Sequence, residues 1–191
     1  MTKLKVRFAL INFAFAFLTL FSNPYRVCRK FLQKKGNKEI YAYGETPLET
    51  YKKIASVCEI KSTDCWLELG AGRGKGCFWM AHSIGCRVQG IEWVPQFVWI
   101  ARALKTLFRV HNASFHLQNI GDTDFSTATA VYLYLYEAPP LTKMEQLPLG
   151  AKVITVSEPL ETPFLTLKKT FSIRYPWGRT QAFLHEKTAY R

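Results

Sequence analysis

The sequence predicts an α/β fold: seven strands in a largely parallel sheet flanked by helices, ending in an antiparallel hairpin and preceded by a hydrophobic N-terminal helix. Three observations lead there. The first is Leu67-Glu68-Leu69-Gly70-Ala71-Gly72-Arg73-Gly74-Lys75-Gly76, an apolar run with an acid in it that opens into closely spaced glycines and reads as strand, tight turn, helix. Such glycines reach positive φ and let a ligand approach the backbone, while the helix start offers unpaired N–H groups. The second is the alternation of strand-length apolar runs with helical-period segments from residue 48 to residue 156, the pattern of a parallel sheet covered by helices. The third is a pair of strand-like runs, Leu165 to Ile173 and Thr180 to Glu186, joined through Tyr175-Pro176-Trp177-Gly178 as a hairpin.

Taken in order, Phe8 to Phe21 is almost wholly apolar, with Lys5 and Arg7 before it and Arg26 after it. As a helix it rises only about 21 Å, short of a hydrocarbon core of about 30 Å. Spanning therefore requires snorkelling by Lys5, Arg7 and Arg26, or inclusion of residues 22–27. Apolar residues lie all round the segment, which argues against a helix lying in the interface. No small-x-small cleavage site follows, so a removable signal fits less well. The expectation is an uncleaved membrane anchor over residues 1–33, a polar linker over 34–40 and one domain over 41–191. The larger basic flank then holds that domain on the cytoplasmic side. A helix packed on the domain is the competing reading.

Thr46, Pro47 and Glu49 form a helix start with a capping hydroxyl, a first-turn proline and a glutamate three residues after the cap. Tyr51, Ile54, Ala55 and Cys58 give that helix an apolar face. After the glycine loop, Lys75 to Ile84 reads as a helix stopped by Gly85, and Arg87 to Ile91 as a second strand ending in Glu92. Pro95 opens a helix whose Phe97, Ile100, Ala101, Leu104 and Phe108 share one face; Trp99 reads as core. Ser114 to Leu117 is the third strand, followed by Gln118-Asn119. Ala130 to Tyr136 alternates, so Tyr132, Tyr134 and Tyr136 face one way and Val131, Leu133 and Leu135 the other. Leu141 to Leu147 is a short helix and Lys152 to Val156 the fifth strand.

The loop is neither of two familiar phosphate binders. A Walker loop fails because Leu69 stands where its first glycine belongs and Gly76 follows Lys75. The dinucleotide fingerprint fails because Lys75 occupies its third glycine position. Glu-x-Gly-x-Gly-x-Gly from Glu68, with Glu92 about twenty residues beyond the loop, instead resembles the first motifs of the class I S-adenosylmethionine-dependent methyltransferases, which are Rossmann-like. The resemblance implies S-adenosylmethionine as cofactor, with Glu68, Gly70, Ala71, Gly72 and Gly74 forming the loop and Glu92 accepting from the ribose hydroxyls. It places Trp93 and Asn119 beside the adenine, Asn119 standing where relatives usually carry Asp.

Tyr43-Gly44-Glu45-Thr46 ahead of this loop resembles the pre-loop of the non-SET, Dot-type lysine methyltransferases. The short chain is similar to their compact branch, which methylates lysines of the mitochondrial adenine nucleotide translocase and the ATP synthase c-subunit. This narrower resemblance covers residues 40–186 and implies that Tyr43, Glu45 and Thr46 contact the cofactor and that the partner is a protein lysine. By the same resemblance Tyr136 and Glu137, at the end of the tyrosine strand, are the catalytic candidates. Tyr136 lines the acceptor channel and Glu137, where relatives often have proline, orients the incoming chain.

Composition sets bounds on partners. The chain of 191 residues carries a net charge of +12, which favours an anionic membrane, nucleic acid or an acidic protein surface. Lys3, Lys5, Arg7, Arg26, Arg29, Lys30, Lys34, Lys35 and Lys38 concentrate much of it near the N-terminus. Five cysteines without Cys-x-x-Cys spacing support reduced thiols rather than a disulfide framework or zinc site. The four histidines have no metal-ligand spacing, so no metal is expected. Two other functions stay open: a methyltransferase for a lipid-soluble small molecule or RNA, and a non-catalytic membrane-associated module that keeps the cofactor fold as scaffold.

Overall fold

A computed structural model of the chain describes residues 3–135 and 140–189, and the side chains from residue 7 onward within them. Seven strands form one sheet in the order β3-β2-β1-β4-β5-β7-β6. They are β1 (Cys65–Leu69), β2 (Arg87–Glu92), β3 (Ala113–Leu117), β4 (Ala130–Leu133), β5 (Lys152–Val156), β6 (Leu165–Tyr175) and β7 (Gly178–Lys187). The first five pair in parallel, and β7 inserts antiparallel between β5 and β6. β1 and β4 are buried along their whole length, as expected of strands covered on both faces. The chain reverses direction across β1, so the carboxyl ends of β1, β2 and β4 open a crevice at the switch point.

Among the described residues, five α-helices accompany the sheet: α1 (Lys3–Phe21), α2 (Pro24–Lys34), α3 (Leu48–Val57), α4 (Lys75–Trp79) and α5 (Pro95–Leu107). The predicted helix after the glycine loop is present, but only its first half is α-helical. Met80–Ile84 winds as a π-helix that Gly85 closes at φ 81°. The predicted helix at 141–147 is a 3-10 segment, Leu141–Gln146. The tyrosine strand is shorter than its alternation suggests, ending at Leu133. Tyr132 and Tyr134 pack with one core and Leu133 and Leu135 with the other, as the period of two requires. Tyr136 and Glu137, the two catalytic candidates, lie outside the described residues.

Three expectations are corrected. Thr46 does not cap α3, because its hydroxyl is turned into the core; Pro47 is the capping residue and makes no side-chain cap bond. Trp99 is not core but 63% exposed. Residues 24–34 form an unforeseen amphipathic helix, started by Asn23, whose side chain accepts from the Arg26 N–H, and by Pro24 in its first turn. The inner face of α2, with Cys28 and Leu32, packs on Val94 and Phe97.

The N-terminal helix packs on the domain. Ile11 and Phe15 are fully buried within the main core, with Phe8, Ala14 and Leu18 against it. Among the described residues no single helix is long and apolar enough to cross a membrane; α1 from Arg7 and α2 pass by length and composition only as a pair bent by 64°.

Candidate functional site

Local backbone chemistry builds the crevice. Gly70 and Gly72 hold φ of 72° and 55°, a region side chains disfavour, and the Gly70 and Ala71 N–H groups both donate to Ile91 O at 2.9 Å, tying the loop to β2. A Cβ on Gly70 would lie 2.7 Å from Leu135 Cδ2, and one on Gly72 3.3 Å from the Tyr43 ring. Both bare positions keep open a cavity of about 230 Å³. Its walls include Tyr43, Glu45 and Thr46 on one side, Glu92, Trp93 and Asn119 on another, and Tyr132, Tyr134 and Leu135 at the end of β4.

Glu92 closes the loop. Its Oε2 accepts from the Gly72 N–H at 2.8 Å, and its Oε1 from the Trp93 and Val94 N–H groups at 2.7 and 2.8 Å. Two donors fill Oε1, which leaves one acceptor site on Oε2 for a ligand hydroxyl. Burial raises the Glu92 pKa, against the three backbone bonds that favour its charged form. Asn119 sits at the rim, where its Oδ1 accepts from the Gly121 N–H at 2.9 Å and keeps a second lone pair. Trp93 stands edge-on to Phe31.

Glu68 and Gly74 sit deeper than the motif suggests. Glu68 is buried beneath the loop, where Tyr51 donates to its Oε1 at 2.6 Å and Trp66 Nε1 and the Cys77 thiol donate to Oε2 at 3.1 and 3.5 Å. Gly74, which the resemblance places in the loop, is not among the residues lining the cavity; its missing Cβ faces Phe115 at 2.5 Å and Ala101 at 3.3 Å. Gly76, which the spacing left without a role, lines the cavity in its place.

The pre-loop is held by an ion pair that sequence spacing did not reveal. Arg73 donates through Nε and Nη2 to Glu45 Oε1 at 2.9 and 2.5 Å, and Tyr43 donates to the same oxygen at 2.7 Å. Burial alone would raise the Glu45 pKa, but the Tyr43 hydrogen bond and the charges of Arg73 and Lys75 outweigh it and hold the group below the usual range. From Nη1, Arg73 also donates to Thr19 Oγ1 at 2.8 Å and Phe15 O at 3.3 Å. Nothing in a Gly-Arg-Gly sequence announces partners 28 and 58 residues away. Thr46 Oγ1 lies 2.8 Å from the Tyr132 hydroxyl and 3.2 Å from that of Tyr175, and the two phenols are 3.0 Å apart.

The buried carboxyls give a pH test. Burial pushes Glu68 above the usual carboxylate range despite its three donors. A folded pKa above the unfolded value means that the native state binds the proton more tightly, so stability falls as pH rises through the window between them. Glu68→Gln removes that linkage, and urea unfolding across pH is expected to show the stability gap between parent and variant moving in the variant's favour from about pH 4 upward. A pH-independent gap rules this out. Glu45 has the opposite sign, its contribution being lost as pH falls through its lowered pKa.

Residues 29–130, just over half of the chain, match the family described as Histone methylation protein DOT1. A search of curated proteins finds no significant match. Among solved structures, the chain is similar to an RNA methyltransferase from Salinibacter ruber in complex with S-adenosyl-L-homocysteine, at 24% identity and TM-score 0.63 over 75% of this chain and 94% of that one. It is similar to a SAM-dependent O-methyltransferase from Thermotoga maritima at 17% identity and TM-score 0.59, covering 78% and 68%. A geranyl diphosphate C-methyltransferase from Streptomyces coelicolor aligns at 10% identity and TM-score 0.58, covering 73% and 78%. Three acceptor chemistries on one fold mean that fold alone does not name the acceptor.

Proposed function

The chain belongs to the family described as Histone methylation protein DOT1, and on that premise we propose that it transfers a methyl group from S-adenosylmethionine to a protein lysine, working at a membrane with its domain on the cytoplasmic side. The residues present suit the cofactor: glycines at positive φ open the loop, and Glu92 Oε2 keeps an acceptor site beside it. When bound, S-adenosylmethionine supplies a methyl group on a positively charged sulfur, so no covalent nucleophile is needed from the protein.

The observation that carries the lysine reading is the aromatic end of the cavity. Tyr134 and Leu135 line it past the end of β4, and Tyr134 packs on Tyr175 at 4.9 Å. Tyr175 in turn stacks on Trp177 at 5.3 Å, so a run of rings leads from the cavity to the exposed hairpin tip. Such a wall suits the apolar stem of a lysine. By excluding water it lowers the amine pKa, favouring the neutral form that accepts a methyl group. Thr46 and Tyr175 pin the Tyr132 hydroxyl, which fixes the floor of this end. Tyr136 and Glu137, the catalytic candidates of the sequence reading, follow Leu135 in the chain and lie outside the described residues.

The test is transfer of radiolabelled methyl from S-adenosylmethionine into membranes and cytosol of the source cell, with Gly72→Arg as control. At φ 55° and against Tyr43 that arginine obstructs the loop. The expected label survives nuclease and solvent extraction, disappears with protease and yields methyl-lysine on hydrolysis. Label in the organic or nuclease-sensitive fraction replaces lysine with a lipid-soluble acceptor or RNA, and absence of both label and cofactor binding leaves a scaffold.

A further inference from the structure

The N-terminal helix has two apolar faces with different fates. Phe8, Ile11, Phe15 and Leu18 point into the domain. Leu10, Phe13, Phe17, Leu20 and Phe21, at helical spacing on the opposite side, are exposed, Phe13 by 69% and Leu20 by 79%. Sequence alone made the helix apolar all round; once the domain covers one face, what remains is an amphipathic surface. Arg73 clamps the covered face through Phe15 O and Thr19 Oγ1, with its guanidinium 5.2 Å over the Phe15 ring. Pulling α1 out to span a bilayer would break these contacts and expose Ile11 and Phe15.

The surroundings identify what meets the exposed face. Residues 1–38 contain no Asp or Glu. Arg26, Arg29, Lys30 and Lys34 are exposed on α2, which follows α1 after the break at Ser22-Asn23. Arg26 and Lys30 border a shallow groove with Trp99, and Gln96 of the same helix as Trp99 donates to Ser22 Oγ at 3.0 Å, joining the end of α1 to α5. Exposed Tyr25 adds a second interfacial ring. Aliphatic and phenyl groups flanked by unopposed cations with Trp and Tyr at the margin match an anionic lipid surface. A symmetric pair of chains would bring two such cation sets together, which disfavours self-association through this face.

We propose that α1 lies in the plane of an anionic bilayer, inserting Leu10, Phe13, Phe17, Leu20 and Phe21 while α2 and Arg26 and Lys30 beside Trp99 engage the headgroups. This rests on the membrane-associated part of the proposed function and replaces a spanning anchor with a docked one. Arg73 then links the docked helix directly to Glu45 on the cavity wall.

The full chain is mixed with phosphatidylcholine vesicles, with and without phosphatidylserine, and recovered by flotation. Expected are flotation with the anionic vesicles that weakens with salt, and about ten-fold less recovery for Phe13→Asp combined with Phe17→Asp. S-adenosylmethionine binding, measured by calorimetry, should be unchanged in that double variant, since neither residue lines the cavity. Equal flotation of the variant, indifference to lipid charge, an N-terminal tag shielded from external protease, or a parent dimer that the variant splits would each overturn the proposal. Loss of flotation with protease-sensitive methyl label intact removes the docking alone, whereas flotation with label in the lipid extract removes the lysine acceptor alone.

Discussion

Glu92→Ala is expected to weaken S-adenosylmethionine binding about 100-fold, the scale of one lost charge-assisted hydrogen bond together with a loosened loop. The carboxylate serves two purposes through one group. Glu92 lines the cavity with one acceptor site on Oε2 left over, and three backbone N–H groups of Gly72, Trp93 and Val94 depend on it for position. Alanine leaves those donors without their acceptor, so the Gly72 turn loses its tie to β2 as the ligand loses its partner. Calorimetric titration gives the affinity, and far-ultraviolet circular dichroism before titration separates weak binding from unfolding. A folded variant with parental affinity would remove Glu92 from the cofactor site.

Gly76→Ala is expected to destabilise the fold by about 3 kcal/mol, at the upper end for overpacking a core. The added methyl would fall on the ring and hydroxyl of Tyr51. That ring cannot retreat easily, because its hydroxyl donates to buried Glu68 and it packs against Trp79 and Tyr132. Gly36→Ala is the matched control. Gly36 has φ 71° but open space around it, so only the left-handed conformation is strained, at about 1 kcal/mol. Urea unfolding of both variants compares steric overlap with backbone strain, and equal losses would show that Tyr51 moves aside.

The contrast between these glycines shows where sequence reading stops. Gly70 and Gly72 are legible because alternate glycines after a buried strand have one economical explanation, a turn that something approaches. Gly74 belongs to the same repeat, yet it serves the packing of Phe115, which lies 41 residues away in the chain. Gly76 carries no motif at all, and its constraint comes from Tyr51 across the core. The same holds for Thr46, whose proline and glutamate neighbours describe a helix cap while two tyrosine hydroxyls from β4 and β6 take the side chain inward. Local rules describe what a residue can do for its own segment, and a distant partner that satisfies it better prevails.

Sequence by itself determined the succession of strands and helices that ends in a hairpin, the glycine loop, the acid at the end of β2 and the alternation of the tyrosine strand. These are periodicities and turn requirements written over a few adjacent residues. Only the tertiary structure decided that Arg73 pairs with Glu45, that Glu68 lies beneath the loop, and that one face of the apolar N-terminal helix is core and the other surface. Charge pairing, burial and the covering of a helix face depend on segments far apart in the chain, and no local pattern encodes which of them will meet.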